Sequence, residues 1–190
     1  MLYENYQSPW LAEDELRILK DAAGRFFADQ FVPLRERWIE QGEVDRDAWY
    51  KAGEAGLLCA EMPAEYGGGG GDYRHETVIM EEQVAASLGC WGNQVHSTIV
   101  APYILHYGNE KQKQRWLPKM ASGEMVGAIA MTEPHTGSDL QGVRTTAKRE
   151  GDTYVVSGAK TYITNGQHAD LVVVVAKTDP SLGAKGISLI

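Results

Sequence analysis

The stretch that decides the fold reads Ile129-Ala-Met-Thr-Glu-Pro-His-Thr-Gly-Ser-Asp-Leu140 and, after a polar run, Gly151-Asp-Thr-Tyr-Val-Val-Ser-Gly-Ala-Lys-Thr-Tyr-Ile-Thr-Asn-Gly166. It combines hydroxyl side chains, glycines and residues that favour β-structure. Before this stretch the apolar residues recur with the period of a helix, and after it they recur with the period of a strand. Binding surfaces often form where two such architectures meet, so we expect a functional site here.

The composition of the whole chain limits the class of protein to which it can belong. The 190 residues, of which 43% are hydrophobic, suffice to bury the core of one large domain or two small ones. The formal net charge of -8 argues against a nucleic-acid partner, which would need a basic face. No apolar run approaches the roughly 18 residues of a membrane span, and residues 1–5 lack the basic start of a signal peptide. We expect a cytoplasmic protein with no membrane insertion.

The cysteines and histidines predict neither a disulfide nor a metal site. Cys59 and Cys90 have no Cys-x-x-Cys spacing and no nearby pair of histidines, so buried free thiols are expected. Four histidines show no ligand spacing with one another or with a carboxylate cluster: His75, His96, His106 and His168.

The first 124 residues have the pattern of a helical domain. Apolar residues at helical spacing, N-cap residues and glycine stops predict helices at about 10–29, 34–40, 45–56, 72–88, 93–107 and 109–117. Pro33 is expected to kink or restart the first helix, and Pro118 to end or kink the last one. The fifth of these helices is apolar on more than one side, so it is buried or lines an apolar cavity.

Residues 63–72 contain five consecutive glycines and are predicted to form a loop, because such a run carries too much backbone entropy for regular structure. A phosphate-binding loop would need a preceding strand and a closing Gly-Lys-Ser/Thr, and neither is present. We therefore interpret this run as a flexible connector.

Residues 125–190 have the pattern of a β-domain, with strands at about 126–131, 145–149, 153–164, 171–176 and 185–190. Gly151-Asp152 predicts a hairpin turn, and Asn165-Gly166 predicts another turn. The fold class is therefore α+β: an N-terminal all-α helical bundle (1–124) followed by an antiparallel β-barrel or sandwich-like domain (125–190). We expect that domain to be incomplete at residue 190.

Several separated motifs carry a resemblance to a known family. They are Met131-Thr-Glu-Pro-His-Thr-Gly-Ser-Asp139, Gly151-Asp-Thr-Tyr-Val155, Gly158-Ala-Lys160 and Tyr162-Ile-Thr-Asn-Gly166, with Pro63-x-x-Tyr66-Gly-Gly and Gly108-Asn-Glu-x-Gln112 upstream. In this order and spacing they resemble the acyl-CoA dehydrogenase family, over its N-terminal helical domain and the first part of its middle β-domain. The run Gly127-Ala-Ile-Ala-Met-Thr-Glu-Pro134 is most similar to the long-chain type.

The resemblance implies an FAD-dependent enzyme that oxidises an acyl-CoA thioester to the trans-2-enoyl-CoA in fatty-acid oxidation. It also implies an electron-transferring flavoprotein as electron acceptor and a homo-oligomer, either a tetramer or a dimer. The family's catalytic base is a glutamate on a C-terminal helical domain that this chain lacks, so no catalytic residue is predicted within it. Two alternatives stay open: a non-catalytic FAD- and acyl-CoA-binding subunit that needs a partner chain, or an acyl-CoA oxidase or flavin monooxygenase of the same superfamily.

The resemblance also implies which residues hold the cofactor: Ile129, Met131, Thr132, Gly137, Ser138, Tyr162, Ile163 and Thr164. Met131 and Thr132 are expected to contact the flavin ring, and Thr164 is expected to place its hydroxyl near N5. Tyr162 is expected to lie on the flavin face away from the substrate. Glycine at 137 allows close approach of the backbone to the cofactor.

For the substrate, the resemblance implies that Ser138 reaches the acyl-CoA and that Val95 and Ile99 form part of the pocket wall. By composition alone, Val95 and Ile99 are more typical of a helical core. Glu133 and Asp139 have two interpretations, a functional carboxylate pair or acceptors of turn and cap hydrogen bonds, and the second is the more ordinary.

Three positions depart from the family pattern. Ile129 stands where many members have an aromatic residue, and Tyr162 stands where tryptophan or phenylalanine is common. His135 replaces a frequent glycine, and we interpret it as an exposed loop residue rather than an acid or base.

Overall fold

A computed structural model of the chain describes residues 8–190 and divides into two compact units, Met1–Glu124 and Met125–Ile190. The interpretation of residues 1–5 as free of a signal peptide concerns positions outside the described range. None of the helices between residues 8 and 190 has the length and hydropathy that a membrane span requires.

The first unit is helical over its described part. Its α-helices are α1 (Asp14–Phe26), α2 (Arg35–Gln41), α3 (Arg46–Glu54), α4 (Tyr73–Ala85), α5 (Asn93–Val95), α6 (Ala101–Tyr107) and α7 (Glu110–Ala121). Short 3-10 turns occupy Pro9–Ala12, Val32–Leu34 and Ala64–Tyr66, and π-helical turns occupy Phe27–Phe31 and His96–Val100.

Helix starts follow the predicted capping chemistry. The Asn109 side chain accepts the Gln112 amide at 3.1 Å, and the Gln112 side chain accepts the Asn109 amide at 2.8 Å. This reciprocal pair is the predicted capping box of α7. At α4, the Asp72 carboxylate accepts the Arg74 amide at 2.9 Å, which fixes the predicted start of that helix.

The prediction that Pro118 ends or kinks the last helix is wrong about the end of that helix, because α7 continues through Pro118 to Ala121. A proline inside a helix removes one backbone hydrogen bond. Leu117 and Met120 on either side of it are fully buried, so core packing holds the last turn in place without that bond.

The core of the helical unit is a cluster of aromatic rings around Trp91. Its ring centroid lies 5.6 Å from that of Phe27, 5.1 Å from that of Phe31 and 5.6 Å from that of Trp49. All four side chains are fully buried. Each such edge-on or tilted pair adds about 0.5–1.5 kcal/mol beyond the burial of apolar surface.

The five-glycine run is a loop, as predicted, but it is not a flexible connector. The amide of Gly70 donates to the carbonyl of Met62 at 2.8 Å, and the amide of Gly71 donates to that of Ala60 at 3.0 Å. A Cβ atom at Gly68 would lie 2.3 Å from the Met62 carbonyl oxygen, closer than atoms can approach. Gly68 and Gly69 are therefore needed because their backbone packs directly on that of Ala60 and Met62, while Gly67 and Gly70 have left-handed φ angles of +82° and +71°.

The second unit is a five-stranded sheet made of β1 (Gly127–Ala130), β2 (Thr146–Glu150), β3 (Thr153–Ser157), β4 (Leu171–Lys177) and β5 (Ile187–Leu189). The strand order is β1-β4-β2-β3, and β5 also pairs with β4. Short 3-10 segments at Leu140–Gly142 and Pro180–Gly186 connect the strands. The α+β class is confirmed.

The sheet is mixed, so the prediction of an antiparallel domain is wrong in part. β2 and β3 form the predicted hairpin across Gly151-Asp152, and β4 and β5 are also antiparallel. β1 and β4 are parallel, with Gly127 opposite Leu171. A short turn gives an antiparallel pair, but here the whole β2–β3 hairpin and residues 158–170 lie between the two strands and return the chain in the same direction.

The strand predicted at 153–164 ends at Ser157. Tyr162 and Asn165 have φ angles of +55° and +65°, in the left-handed region that a strand cannot contain. Residues 158–170 therefore leave the sheet, and the predicted turn at Asn165-Gly166 lies within this irregular segment, closed by a 2.9 Å bond from the Gly166 amide to the Ile163 carbonyl.

Candidate functional site

The predicted cofactor residues are arranged around the point where β1 ends. After Ala130 the chain leaves the sheet, and Glu133 and Thr136 pair through two backbone hydrogen bonds of 2.9 and 3.1 Å. This tight turn fixes Met131 and Thr132 before it and Gly137 after it.

The second motif meets the first at the same point. The Thr161 amide donates to the Thr132 carbonyl at 3.0 Å, and the Lys160 ammonium donates to the Met131 carbonyl at 2.8 Å. The structure thus brings together two segments that lie almost 30 residues apart in the sequence. These bonds use the carbonyl oxygens of Met131 and Thr132, so a ligand would meet other groups of these two residues.

Side-chain bonds hold the rest of the irregular segment to the sheet. The Asn165 amide group donates to the Gly127 carbonyl at 3.1 Å. The Val126 amide donates to the Asp170 carboxylate at 2.8 Å, and the Asp170 amide donates back to the Val126 carbonyl at 2.9 Å. Residues 158–170 are therefore anchored without belonging to a strand.

Glu133 is the buried anchor of the site. Its side chain is 1% exposed and accepts hydrogen bonds from the Arg144 amide at 2.7 Å, the Thr145 amide at 2.9 Å and the Lys160 ammonium at 2.9 Å. Burial alone would raise the pKa of Glu133, but these donors stabilise the anion and lower the pKa to about 2.

The turn interpretation agrees with the structure for Glu133, whose carboxylate accepts two backbone amides. Asp139 precedes the 3-10 segment Leu140–Gly142 without a side-chain cap bond, and it is its backbone carbonyl that accepts the Gly142 amide at 3.0 Å. His135, predicted to be an exposed loop residue, has a side chain that is 38% exposed and an Nε2 atom 3.3 Å from Glu133 Oε2.

The predicted polar contact residues are open to a ligand. Thr132 is half-buried, while Ser138 and Thr164 are exposed, and their hydroxyls have no hydrogen-bond partner among the described residues. Tyr162 is 92% exposed, which is unusual for so large an aromatic side chain. Hydroxyl donors and an uncovered ring are the groups that bind a planar, polar ligand by hydrogen bonding and stacking.

Neither backbone conformation nor packing among the described residues requires a glycine at position 137. Its φ angle is not in the left-handed region, and a Cβ atom there would meet no heavy atom within 4 Å. The space in front of this backbone is therefore open in the chain as described.

The two isoleucines predicted to bind the cofactor, Ile129 and Ile163, are not exposed. Ile129 is only 7% exposed and pairs with Val173 inside the sheet, so it contributes to the core of the unit. Ile163 is half-buried, and its carbonyl closes the turn to Gly166.

The predicted substrate residues of the helical unit lie outside its buried core. Val95 and Ile99, one helical turn apart, are both half-buried. A cavity of about 370 Å³ opens on this surface, lined by Thr98, Ile99, Pro102, Tyr103, His106 and Tyr107. Ile99 thus lines a cavity on the surface of the helical unit, and Val95 does not line it.

The sequence reasoning missed a buried polar cluster that joins Cys59 to His96. The Cys59 Sγ atom lies 3.8 Å from His96 Nε2, which is also 3.1 Å from the Met120 carbonyl oxygen. The two side chains are 37 residues apart, so no local motif could have revealed them.

The chemistry of this cluster is structural. Burial raises the pKa of the Cys59 thiol and lowers the pKa of His96 to about 4, so both are neutral near pH 7. A nucleophilic thiolate paired with an imidazolium is thereby excluded. The prediction of buried free thiols holds for Cys59 but is wrong for Cys90, which is free and exposed next to the glycine that follows α4. Among residues 8–190, no group of three metal-binding side chains comes together.

The fold and site define the class of the protein. Residues 13–124 match the family model of the acyl-CoA dehydrogenase N-terminal domain, and residues 128–190 match that of the acyl-CoA dehydrogenase middle domain. The chain belongs to the acyl-CoA dehydrogenase family, and the resemblance in the motifs is confirmed.

Individual relatives support the same assignment. The mitochondrial long-chain specific acyl-CoA dehydrogenase of Rattus norvegicus is 45% identical over 174 residues, which cover 90% of this chain and 40% of that protein. The crystal structure of an acyl-CoA dehydrogenase from Geobacillus kaustophilus superposes with a TM-score of 0.91 at 44% identity, covering 97% of this chain and 49% of that one.

A third relative was solved with a reduced cofactor. A glutaryl-CoA dehydrogenase from Mycobacterium smegmatis in complex with FADH2 superposes with a TM-score of 0.84 at 30% identity, covering 94% of this chain and 45% of that one. The chain thus spans less than half the length of each of these three relatives.

Proposed function

We propose that this chain forms the flavin-ring part of an FAD-dependent acyl-CoA dehydrogenase. The observation that carries the proposal is the junction at the end of β1, where two motif segments meet and leave the hydroxyls of Thr132, Ser138 and Thr164 without partners among the described residues. The bound FADH2 in the related glutaryl-CoA dehydrogenase supports flavin as the ligand.

The residues present fit such a cofactor. Gly137 has no steric or conformational reason to be glycine within this chain, and close approach of a ligand to the backbone provides one. The ring of Tyr162 is uncovered, and stacking against a planar ring system would remove it from water. In this proposal Met131, Thr132 and Thr164 hold the flavin ring. Half-buried Ile163 and buried Ile129 support these three residues from within the sheet unit.

When bound, FAD would accept a hydride from the β-carbon of the substrate. The residues of this chain would supply fixed hydroxyl donors, which stabilise negative charge on a ring better than mobile water does. Ser138 would donate to the acyl-CoA. Removal of the α-proton needs a base, and we expect it to be a glutamate on the C-terminal helical domain that the family carries.

For the substrate, we propose a fatty acyl-CoA, with the acyl chain against the cavity that Ile99 lines and with Val95 beside it. The identity to a long-chain specific enzyme supports this substrate class. An electron-transferring flavoprotein would take the electrons, and the working protein would be a homo-oligomer, a tetramer or a dimer.

The proposal is tested by titrating FAD into the gene product at its full encoded length. We expect a yellow protein, and Thr164→Val should weaken FAD binding by about three- to tenfold, the effect of losing one hydrogen bond. Thr153→Val, an exposed threonine of β3 in the same unit, is the matched control and should leave the affinity unchanged. A full-length protein that binds no FAD would overturn the proposal.

The reactivity of the reduced protein separates the proposal from its close alternatives. An acyl-CoA dehydrogenase that passes electrons to a flavoprotein should react slowly with oxygen. Rapid reoxidation by oxygen would instead indicate an oxidase or a monooxygenase of the same superfamily.

A further inference from the structure

Lys160 and Glu133 form a buried ion pair at the junction of the two motif segments. Lys160 Nζ lies 2.9 Å from Glu133 Oε1 and 2.8 Å from the Met131 carbonyl oxygen. The two side chains are only 12% and 1% exposed. The ammonium group therefore bonds at once to a carboxylate and to the backbone that follows β1.

The pair connects three separate parts of the sheet unit. Glu133 lies just after β1 and accepts the amides of Arg144 and Thr145, which precede β2. Lys160 lies in the irregular segment after β3, two residues before Tyr162. One charge pair thus links the end of β1, the approach to β2 and the segment that carries Thr164.

Stability alone does not explain such a pair. Removing two charges from water is unfavourable, and well-packed apolar residues of similar volume are often as stable or more stable. The unit also has the usual kind of ion pair, because Lys148 and Glu150 lie 3.8 Å apart with side chains 81% and 56% exposed. A buried pair whose members also bond to the backbone restricts the geometry of the segments that carry them.

Residues 158–170, the segment that Lys160 holds, need an anchor that fixes their geometry. This segment has no strand pairing between β3 and β4, and it contains Tyr162 and Asn165 in left-handed conformations. Without anchors, a loop of this kind samples many conformations, and ordering it opposes ligand binding.

We propose that Lys160 and Glu133 are positioning residues, which hold Met131 and Thr132 in register with Tyr162 and Thr164 before the cofactor binds. This inference rests on the proposed function, because it assumes that these four residues contact the flavin. Neither charged group needs to touch the cofactor.

The charges around the pair are consistent with a permanent anion at Glu133. Its surroundings supply the Lys160 ammonium, the amides of Arg144 and Thr145, and the His135 ring at 3.3 Å.

The test compares four variants of the full-length gene product: Lys160→Met, the double variant Glu133→Gln with Lys160→Met, Lys160→Arg and Lys148→Met. Lys160→Met leaves a buried carboxylate without its cation and can impair folding. The double variant removes both charges together, while glutamine retains one oxygen, which can accept one of the two backbone amides. Lys148→Met is the control, because it makes the same change in the exposed pair.

Four quantities are measured: the melting temperature, the dissociation constant for FAD, the position of the visible absorption band of bound flavin, and hydrogen exchange of the Thr161 amide without FAD. We expect the double variant to melt below the wild type, because one backbone amide loses its acceptor, but to remain folded at the temperature of the FAD titration. Its FAD affinity should fall by about tenfold or more, the scale of a lost charge-assisted hydrogen bond, and its absorption band should shift. The Thr161 amide should exchange faster, Lys160→Arg should recover most of the affinity, and Lys148→Met should match the wild type.

The outcomes separate this inference from the function on which it rests. If the wild-type protein binds no FAD, the proposed function fails and the positioning role fails with it. If the wild type binds FAD, and the double variant binds it equally well with an unshifted band and an unchanged Thr161 amide, the positioning role is overturned and the proposed function stands.

Discussion

Two buried glutamates have pKa values shifted in opposite directions, and the donors around each explain why. Glu133 is surrounded by two amides and an ammonium group, and its pKa falls to about 2. Glu76, on α4, is fully buried, and burial raises its pKa to about 7. The Glu61 amide reaches it at 3.3 Å, and its Oε2 atom has no hydrogen-bond partner among the described residues. Burial is offset at the first carboxylate and not at the second.

Glu76 should therefore destabilise the protein as the pH rises. Its pKa is higher in the folded state than the ordinary value of 4.5, so the folded state binds the proton more tightly and loses stability from about pH 4.5 to above pH 7. Glu76→Gln removes this destabilisation by the ionised carboxylate and should raise the free energy of unfolding by about 2–3 kcal/mol at pH 8. At pH 5 the gain should be much smaller.

Urea unfolding at the two pH values measures the effect. Glu65→Gln, an exposed glutamate of the same unit, is the control and should change the free energy of unfolding little at either pH. An equal change for Glu76→Gln at pH 5 and pH 8 would contradict the assignment of a raised pKa.

At the scale of single elements, the five-glycine loop is where the structure differs most from what the sequence predicts. Entropy predicts mobility for such a run, but its amides bind carbonyls within residues 59–64, and the backbone of Ala60 and Met62 leaves no room for a side chain at Gly68 or Gly69. Whether a glycine is present for mobility or for close packing depends on what lies in front of it, and the sequence does not contain that information.

Gly68→Ala should consequently destabilise the helical unit by about 2 kcal/mol or more, because its methyl group would lie 2.3 Å from the Met62 carbonyl oxygen. Gly89→Ala is the matched control, since a Cβ atom there meets nothing within 4 Å and its φ angle is not left-handed. That variant should be neutral or slightly stabilising. Thermal unfolding measures both, and equal melting temperatures would refute the close-packing account.

Helices and the hairpin could be predicted because their signals are local. The capping box at Asn109 and the turn at Gly151-Asp152 depend on residues within a few positions of each other. The parallel pairing of β1 with β4 could not be predicted, because it joins segments more than 40 residues apart. The end of β3 at Ser157 was missed for a related reason, since the segment after it is held by distant partners of Lys160 and Asn165.

In the candidate site, too, some residues could be predicted from the sequence and others could not. The motifs identified Thr132, Ser138 and Thr164, and the structure leaves their hydroxyls free of partners among the described residues. The motifs also contained Glu133 and Lys160, but nothing in their spacing indicated that the two side chains form a buried pair. Contact residues can be inferred from a resemblance, whereas the residues that position them emerge only from the fold.

At the scale of the whole molecule, residues 13–124 match the N-terminal domain of the acyl-CoA dehydrogenase family and residues 128–190 match its middle domain. Neither unit contains, among the described residues, a carboxylate that the family resemblance assigns as the base. The proposal therefore divides the reaction: this part holds the flavin ring and one side of the acyl pocket, and another part removes the proton.

The most direct measurement is an anaerobic titration of the full-length gene product, loaded with FAD, with a saturated fatty acyl-CoA. If the chain is the flavin-ring part of an acyl-CoA dehydrogenase, the yellow colour should bleach in proportion to the acyl-CoA added, and trans-2-enoyl-CoA should form in equal amount. The free fatty acid without coenzyme A should cause no bleaching. Retention of the full visible flavin absorption with saturated acyl-CoA thioesters of short, medium and long chains would contradict the account.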